Sequence, residues 1–194
     1  MRTASKAHRG VAVRAMLGGI AAVGLVAGCS TSVDGEPAAQ GQSEATTREA
    51  TVQWNPCTDL PDEALAATKV VPSSKDAVTD APTGDVSYRI CRWDSTEGPY
   101  LVYVGSSTYT QADARANTNL TGLEEVQIGP RSGLTYGEKS DEERSTCWVN
   151  LPWEKGTIEV SVSWLYGEEA SMPESPPCGV AVRHATELEP YLPK

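Results

Sequence analysis

The chain has 194 residues, 16 Lys and Arg against 26 Asp and Glu, and a formal net charge of −10. That length holds one modest domain with appendages, and the acidic balance argues against a nucleic-acid partner, which needs a basic face to displace counterions from phosphate. Two histidines leave little for metal-ligand or general-base chemistry, and five cysteines are an odd number that needs an account.

Residues 1–28 carry Arg2, Lys6, Arg9 and Arg14 and no acid, and their last part is an apolar run from Ala15 to Ala27. This is the charged head and short apolar centre of a secretory signal, too short for a transmembrane helix of about 20 residues. The run ends in Val26-Ala27-Gly28-Cys29, the residue types of a bacterial lipobox. Small side chains let the backbone lie extended in a membrane peptidase, and the Cys29 thiol is the nucleophile that takes a diacylglyceryl group. On this reading the mature chain starts at Cys29. Removing four positive charges and no acid then takes the net charge from −10 to −14. Two or more acyl chains anchor such a protein stably, and its acidic body is repelled by anionic lipid.

Ser30 to Gln53 is polar, with Val33 the one branched apolar residue before Val52. Such a composition does not order itself, so residues 29–53 read as a lipidated terminus and flexible tether, with a span of roughly 25–30 Å. The domain occupies residues 54–194. Trp54-Asn55-Pro56-Cys57 leads into Asp62 to Val70, where Leu65, Ala66 and Val70 fall at helical spacing behind acids in the first turn. Pro72 to Gly84 reads as a polar loop. Val86 to Trp93 alternates, with Tyr88, Ile90 and Arg92 on one face and Cys91 and Trp93 on the other, and Tyr100 to Val104 is its hairpin partner.

Thr110 reads as the N-cap of a helix running to about Asn119. Glu125 to Ile128 and Gly133 to Tyr136 are short strands, and an acidic loop spans Glu138 to Arg144. Thr146 to Trp153 places Cys147, Val149 and Leu151 on one face and Trp148 and Asn150 on the other. Thr157 to Leu165 sets Ile158, Val160, Val162 and Trp164 against Thr157, Glu159, Ser161 and Ser163. Cys178, Ala181, Val182, Ala185 and Leu188 form one face of a terminal helix, stopped by Pro190 or Pro193. The order α-β-β-α-β-β-β-β-α predicts an α+β domain, an antiparallel sheet covered by helices.

Four domain cysteines behind a secretion signal are most simply two disulfides. Of three connectivities, Cys57–Cys91 with Cys147–Cys178 is preferred, because each pair would staple the start of a helix to a strand of the same half. A four-thiolate zinc site lacks any Cys-x-x-Cys pair. The landmarks Trp54-Asn55-Pro56-Cys57, Cys91-Arg92-Trp93, Cys147, and Cys178 heading an Ala-rich helix resemble an actinobacterial envelope lipoprotein family, domain-of-unknown-function family 3558. The resemblance covers residues 54–194 and implies a helix-covered antiparallel sheet similar to the Mog1/PsbP type. It brings no catalytic residues and no cofactor. Pro61 departs from the family pattern, which has Thr or Ser at the cap of the first helix.

Catalytic templates fail. Once His8 leaves with the signal, His184 is the remaining histidine, read here as a surface or boundary residue of the terminal helix. No Gly-x-Ser-x-Gly elbow, P-loop or dinucleotide fingerprint occurs. The expectation is a non-enzymatic, lipid-anchored domain on the extracytoplasmic face of the cell membrane, binding an envelope protein or small ligand. Trp148, Tyr166 and Tyr103 are its candidate recognition surface if exposed, although Trp148 is more simply packed under a helix. The rival readings are a cell-wall glycan hydrolase using Glu138, Asp141, Glu142 and Glu143, and a carrier of a lipophilic ligand.

Overall fold

A computed structural model describes residues 51–80 and 86–194, which fall within one compact unit, 45–194. The expected signal, Cys29 and nearly all of the expected tether lie outside the described residues. Val52, assigned by sequence to the end of the tether, is buried, and its N–H donates to the Val86 carbonyl at 2.8 Å. The folded part therefore includes it.

Seven strands form one antiparallel sheet: β1 (Asp76–Thr79), β2 (Tyr88–Asp94), β3 (Tyr100–Ser107), β4 (Leu120–Ile128), β5 (Arg131–Glu138), β6 (Thr146–Trp153) and β7 (Gly156–Trp164), in the order β1-β2-β3-β7-β6-β5-β4. The helices are α1 (Pro56–Asp59), α2 (Asp62–Ala67), α3 (Gln111–Ala116) and α4 (Cys178–Leu188). The α+β class with an antiparallel sheet and two disulfides is thus what the chain adopts. The bridges join Cys57 to Cys91 and Cys147 to Cys178. Each ties the first turn of a helix, α1 or α4, to a strand.

Because strand side chains alternate, the cysteines fix which face is covered. Cys91 and Trp93, Val102 and Val104, Cys147, Val149 and Leu151, and Ile158, Val160 and Val162 all point to the side occupied by α1, α2 and α4, and all are buried. Burying this many branched side chains, each about 1.5–3 kcal/mol, is the main stabilising term. The β6–β7 hairpin turns at Glu154-Lys155, with Gly156 at φ 138°, where a Cβ would strike the Ser107 carbonyl oxygen. Arg131, 7 % exposed, clamps the carboxyl-terminal segment by donating to Glu189 Oε1 at 3.3 Å, to the Pro152 carbonyl at 2.9 Å and to the Pro193 carbonyl.

Three expectations are corrected. The loop expected from Pro72 contains the edge strand β1, whose four residues are all exposed and offer no alternation to detect. The helix capped by Thr110 stops at Ala116, because Asn117 turns extended at ψ 106°. His184 is wholly buried beneath the sheet, not at a surface or boundary.

Candidate functional site

All but one of the described strand-to-strand connections join neighbours in the sheet. The exception, β3 to β4, must reach the far edge, and it carries α3 across the face that the other helices leave uncovered. Thr110 starts α3 with a capping box: Asp113 N–H donates to the Thr110 hydroxyl, and Thr110 N–H donates back to the Asp113 carboxylate at 2.8 Å. Gln111 Nε2 then pins the helix across the strands, donating to the carbonyls of Ser132 at 3.0 Å and Asn150 at 3.3 Å. Between α3 and the sheet lies a cleft of about 540 Å³, within the size range of small-molecule sites.

Register determines the floor of this cleft. One row across the open face reads Ile90, Gly105, Glu159, Asn150, Leu134, and the next reads Arg92, Tyr103, Ser161, Trp148, Tyr136. Two stacked aromatic pairs stand on opposite sides: Tyr88 with Tyr109, ring centroids 5.2 Å apart, and Tyr136 with Trp148, 6.5 Å apart. At the floor, the Tyr136 hydroxyl donates to Glu159 Oε1 at 2.8 Å, and Asn150 Nδ2 donates to the same oxygen at 3.0 Å. Asn150 is 2 % exposed, and its Oδ1 has no partner.

Desolvation holds the Glu159 carboxyl above the ordinary carboxylate range, outweighing the two hydrogen bonds that favour its ionised form, and the Glu138 charge pushes the same way. The Tyr136 phenol is also pushed up, first by burial and then by the Glu159 charge. An acid held in this way lowers stability at neutral pH. Above about pH 4.5 the unfolded chain has released a proton that the folded chain keeps, so stability falls as pH rises until the folded group also ionises. Glu159→Gln keeps the shape and can still accept from Tyr136 and Asn150. We expect its melting temperature to exceed wild type by about 3 °C at pH 8, with the difference shrinking toward pH 4.5. Melting curves across that range check this.

Of the aromatic candidates, Trp148 is half-buried and lines the cleft, on the face that α3 crosses. Tyr103 lies two strands away in the same row, outside the cleft lining, and hydrogen-bonds Arg92. Tyr166 is fully exposed on the turn after β7 and is not brought to the cleft.

The acidic loop also divides. Asp141 caps its turn, accepting from Thr146 N–H at 2.8 Å and from Ser145 N–H at 3.2 Å. Glu142 and Glu143 are exposed, the Glu143 carboxyl being raised chiefly by the neighbouring Glu169 charge, and Glu138 reaches the cleft rim. Sequence reasoning passed over Glu159, Asn150, Tyr136, Tyr88 and Tyr109. The available signal was alternation, which sets Trp148, Asn150 and Glu159 opposite the core.

A family model described as "Protein of unknown function (DUF3558)" matches residues 24–191. No curated protein and no solved structure matches the chain.

Proposed function

We propose, from the premise that this chain belongs to the family of proteins of unknown function DUF3558, that it is an actinobacterial envelope lipoprotein whose domain binds a small ligand in the cleft beneath α3. The observation that carries the reading is the floor of that cleft. A carboxyl group is kept partly buried at a cost to stability, beside an amide oxygen without a partner and between two aromatic pairs. Perturbed ionisable groups in clefts concentrate at functional sites, and a pocket with aromatic walls and a few convergent polar groups is the usual form of a binding site.

The signal-like head, the lipobox at Cys29 and the polar tether support an anchor on the extracytoplasmic face of the cell membrane. A single antiparallel sheet with most of its helices on one face supports assignment to the Mog1/PsbP type. The domain is read as non-enzymatic. The acidic-loop hydrolase has less support, since Asp141 is already engaged by its own turn. A purely lipophilic cargo fits poorly over a carboxyl group.

Labelled palmitate fed to cells producing the full chain is expected to enter the wild type and not Cys29→Ser. Wild-type chain without label, or label surviving that substitution, overturns the anchor. Small molecules extracted from the natively isolated membrane protein, compared with Ala114→Trp, test the cleft. Ala114 lines the cleft from α3, so a bulky ring there should abolish retention. Equal recovery from both proteins overturns the cleft as the ligand site.

A further inference from the structure

We infer that the ligand of this cleft is an organic cation, a protonated amine carried on an apolar body, seated between the Tyr88–Tyr109 and Tyr136–Trp148 pairs and facing the Glu159 carboxylate; the inference rests on the cleft being the ligand site. Three independent properties of the lining converge on it. The first is charge. Asp113 on α3, Glu138 on β5 and Glu159 on β7 line the cleft, with no Lys, Arg or His among the lining residues. An anionic ligand would be repelled there, and a cation would be drawn in.

The second property is hydrogen-bonding capacity. The Tyr136 hydroxyl and Asn150 Nδ2 both donate inward, to Glu159 Oε1. What the floor offers a ligand is the acceptor capacity of the Glu159 carboxylate, beside an Asn150 Oδ1 that has no partner and is itself buried. A ligand that bonds here has to bring its own donors. A sugar or an alcohol brings acceptor lone pairs along with its donors, and those would go unmatched here. An ammonium brings donors alone.

The third property is the walls. Aromatic faces are the negative poles of the ring quadrupole and attract cations, best when desolvated. Two ring pairs flanking one carboxylate give a cation stabilisation from several sides that a neutral ligand of the same shape does not receive. Among the described residues no three His, Cys, Asp or Glu side chains cluster to hold a metal ion, so the ring-lined arrangement suits an organic cation.

The test uses the full chain in a non-ionic maltoside detergent, with three probes of one body: phenethylammonium, 2-phenylethanol and phenylacetate. The readout is the shift of the Trp148 indole and Asn150 side-chain amide resonances. Phenethylammonium should bind at least about tenfold more tightly than either counterpart, and Glu159→Gln should remove that preference. Trp148→Leu, which deletes a ring face without touching charge, should weaken the cation more than the alcohol. Equal affinity for the alcohol or phenylacetate, or a preference that survives Glu159→Gln, overturns the cation inference and leaves the cleft reading standing. No shift at either resonance with any probe overturns the cleft reading itself.

Discussion

Reducing both disulfides is expected to lower the stability of the domain by about 7 kcal/mol, a large share of its total. The bridges span 34 and 31 residues, and chain-entropy arguments give about 3.7 kcal/mol for a loop of either length. The two loops do not overlap in sequence and belong to different halves of the sheet, so their contributions should add. A domain of this size has about 5–15 kcal/mol in total. There is also a local reason for a large effect. The four residues of α1 are too few to persist as a helix alone, and Cys57–Cys91 holds that turn over the core that contains Trp93. Urea unfolding of wild type, Cys57→Ala/Cys91→Ala, Cys147→Ala/Cys178→Ala and the quadruple variant measures each bridge. Losses under 1 kcal/mol in both paired variants would refute the staple argument.

The same covalent frame explains what the sequence revealed. Cys91 and Cys147 mark the covered face of their strands, and the alternation of β6 and β7 follows from them. The hairpin β2–β3, the strands β6 and β7 and the extent of α4 follow from periodicity and turn residues, which act over a few positions. What acts over longer distances was hidden. β1 is four exposed residues held by pairing to β2, and no local pattern records a neighbour that arrives from elsewhere. The burial of His184 depends on Thr68 and Tyr100, 116 and 84 residues away. A polar residue between Arg183 and Ala185 gives no sign of such partners.

The cleft shows the same division. Alternation places Trp148, Asn150 and Glu159 on the side away from the core. It does not show that Asn150 pairs with Glu159, or that Trp148 pairs with Tyr136 on the other side. Those pairings are matters of register in the β6–β7 and β5–β6 ladders. The long crossover from β3 to β4 brings Tyr109 to Tyr88 and lays α3 over the gap. The aromatic residues that stand out as a recognition surface by composition, Tyr166 among them, are therefore not the ones the fold assembles. A residue with an ordinary place in its strand, Glu159, becomes the centre of the site because a tyrosine and an asparagine from two other strands converge on it.

His184→Ala should destabilise the domain by about 4 kcal/mol at pH 7.5 and remove part of its acid sensitivity. The imidazole is wholly buried, its Nδ1 2.8 Å from the Thr68 hydroxyl and its Nε2 3.0 Å from the Tyr100 hydroxyl. Truncation opens a cavity and takes a partner from two buried hydroxyls, leaving that of Thr68 unpaired at about 1–3 kcal/mol and that of Tyr100 with Arg183 at 3.3 Å. Burial, with the Arg183 charge as the next cause, lowers the histidine to about 4 from its ordinary 6.5. The neighbouring Glu97 raises it, and Glu187 Oε2 lies 3.7 Å from Nδ1. The folded ring thus stays neutral while the unfolded one takes up a proton as pH falls through 6.5. Stability is complete above that value and declines toward pH 4, by about 3 kcal/mol in all. Glu97 and Glu189, both held below the ordinary carboxylate range by ion-paired hydrogen bonds, also lose stability in acid. The histidine's share is therefore the difference between wild type and His184→Ala in the stability lost from pH 7.5 to pH 4, measured by urea unfolding at each pH. Equal losses in the two proteins would mean that His184 is not held neutral by the fold. Tyr100→Phe tests the same cluster from the strand side: it keeps the ring stacked on Trp164 at 4.5 Å but leaves Nε2 without a partner, and should cost about 1–2 kcal/mol with the acid limb preserved.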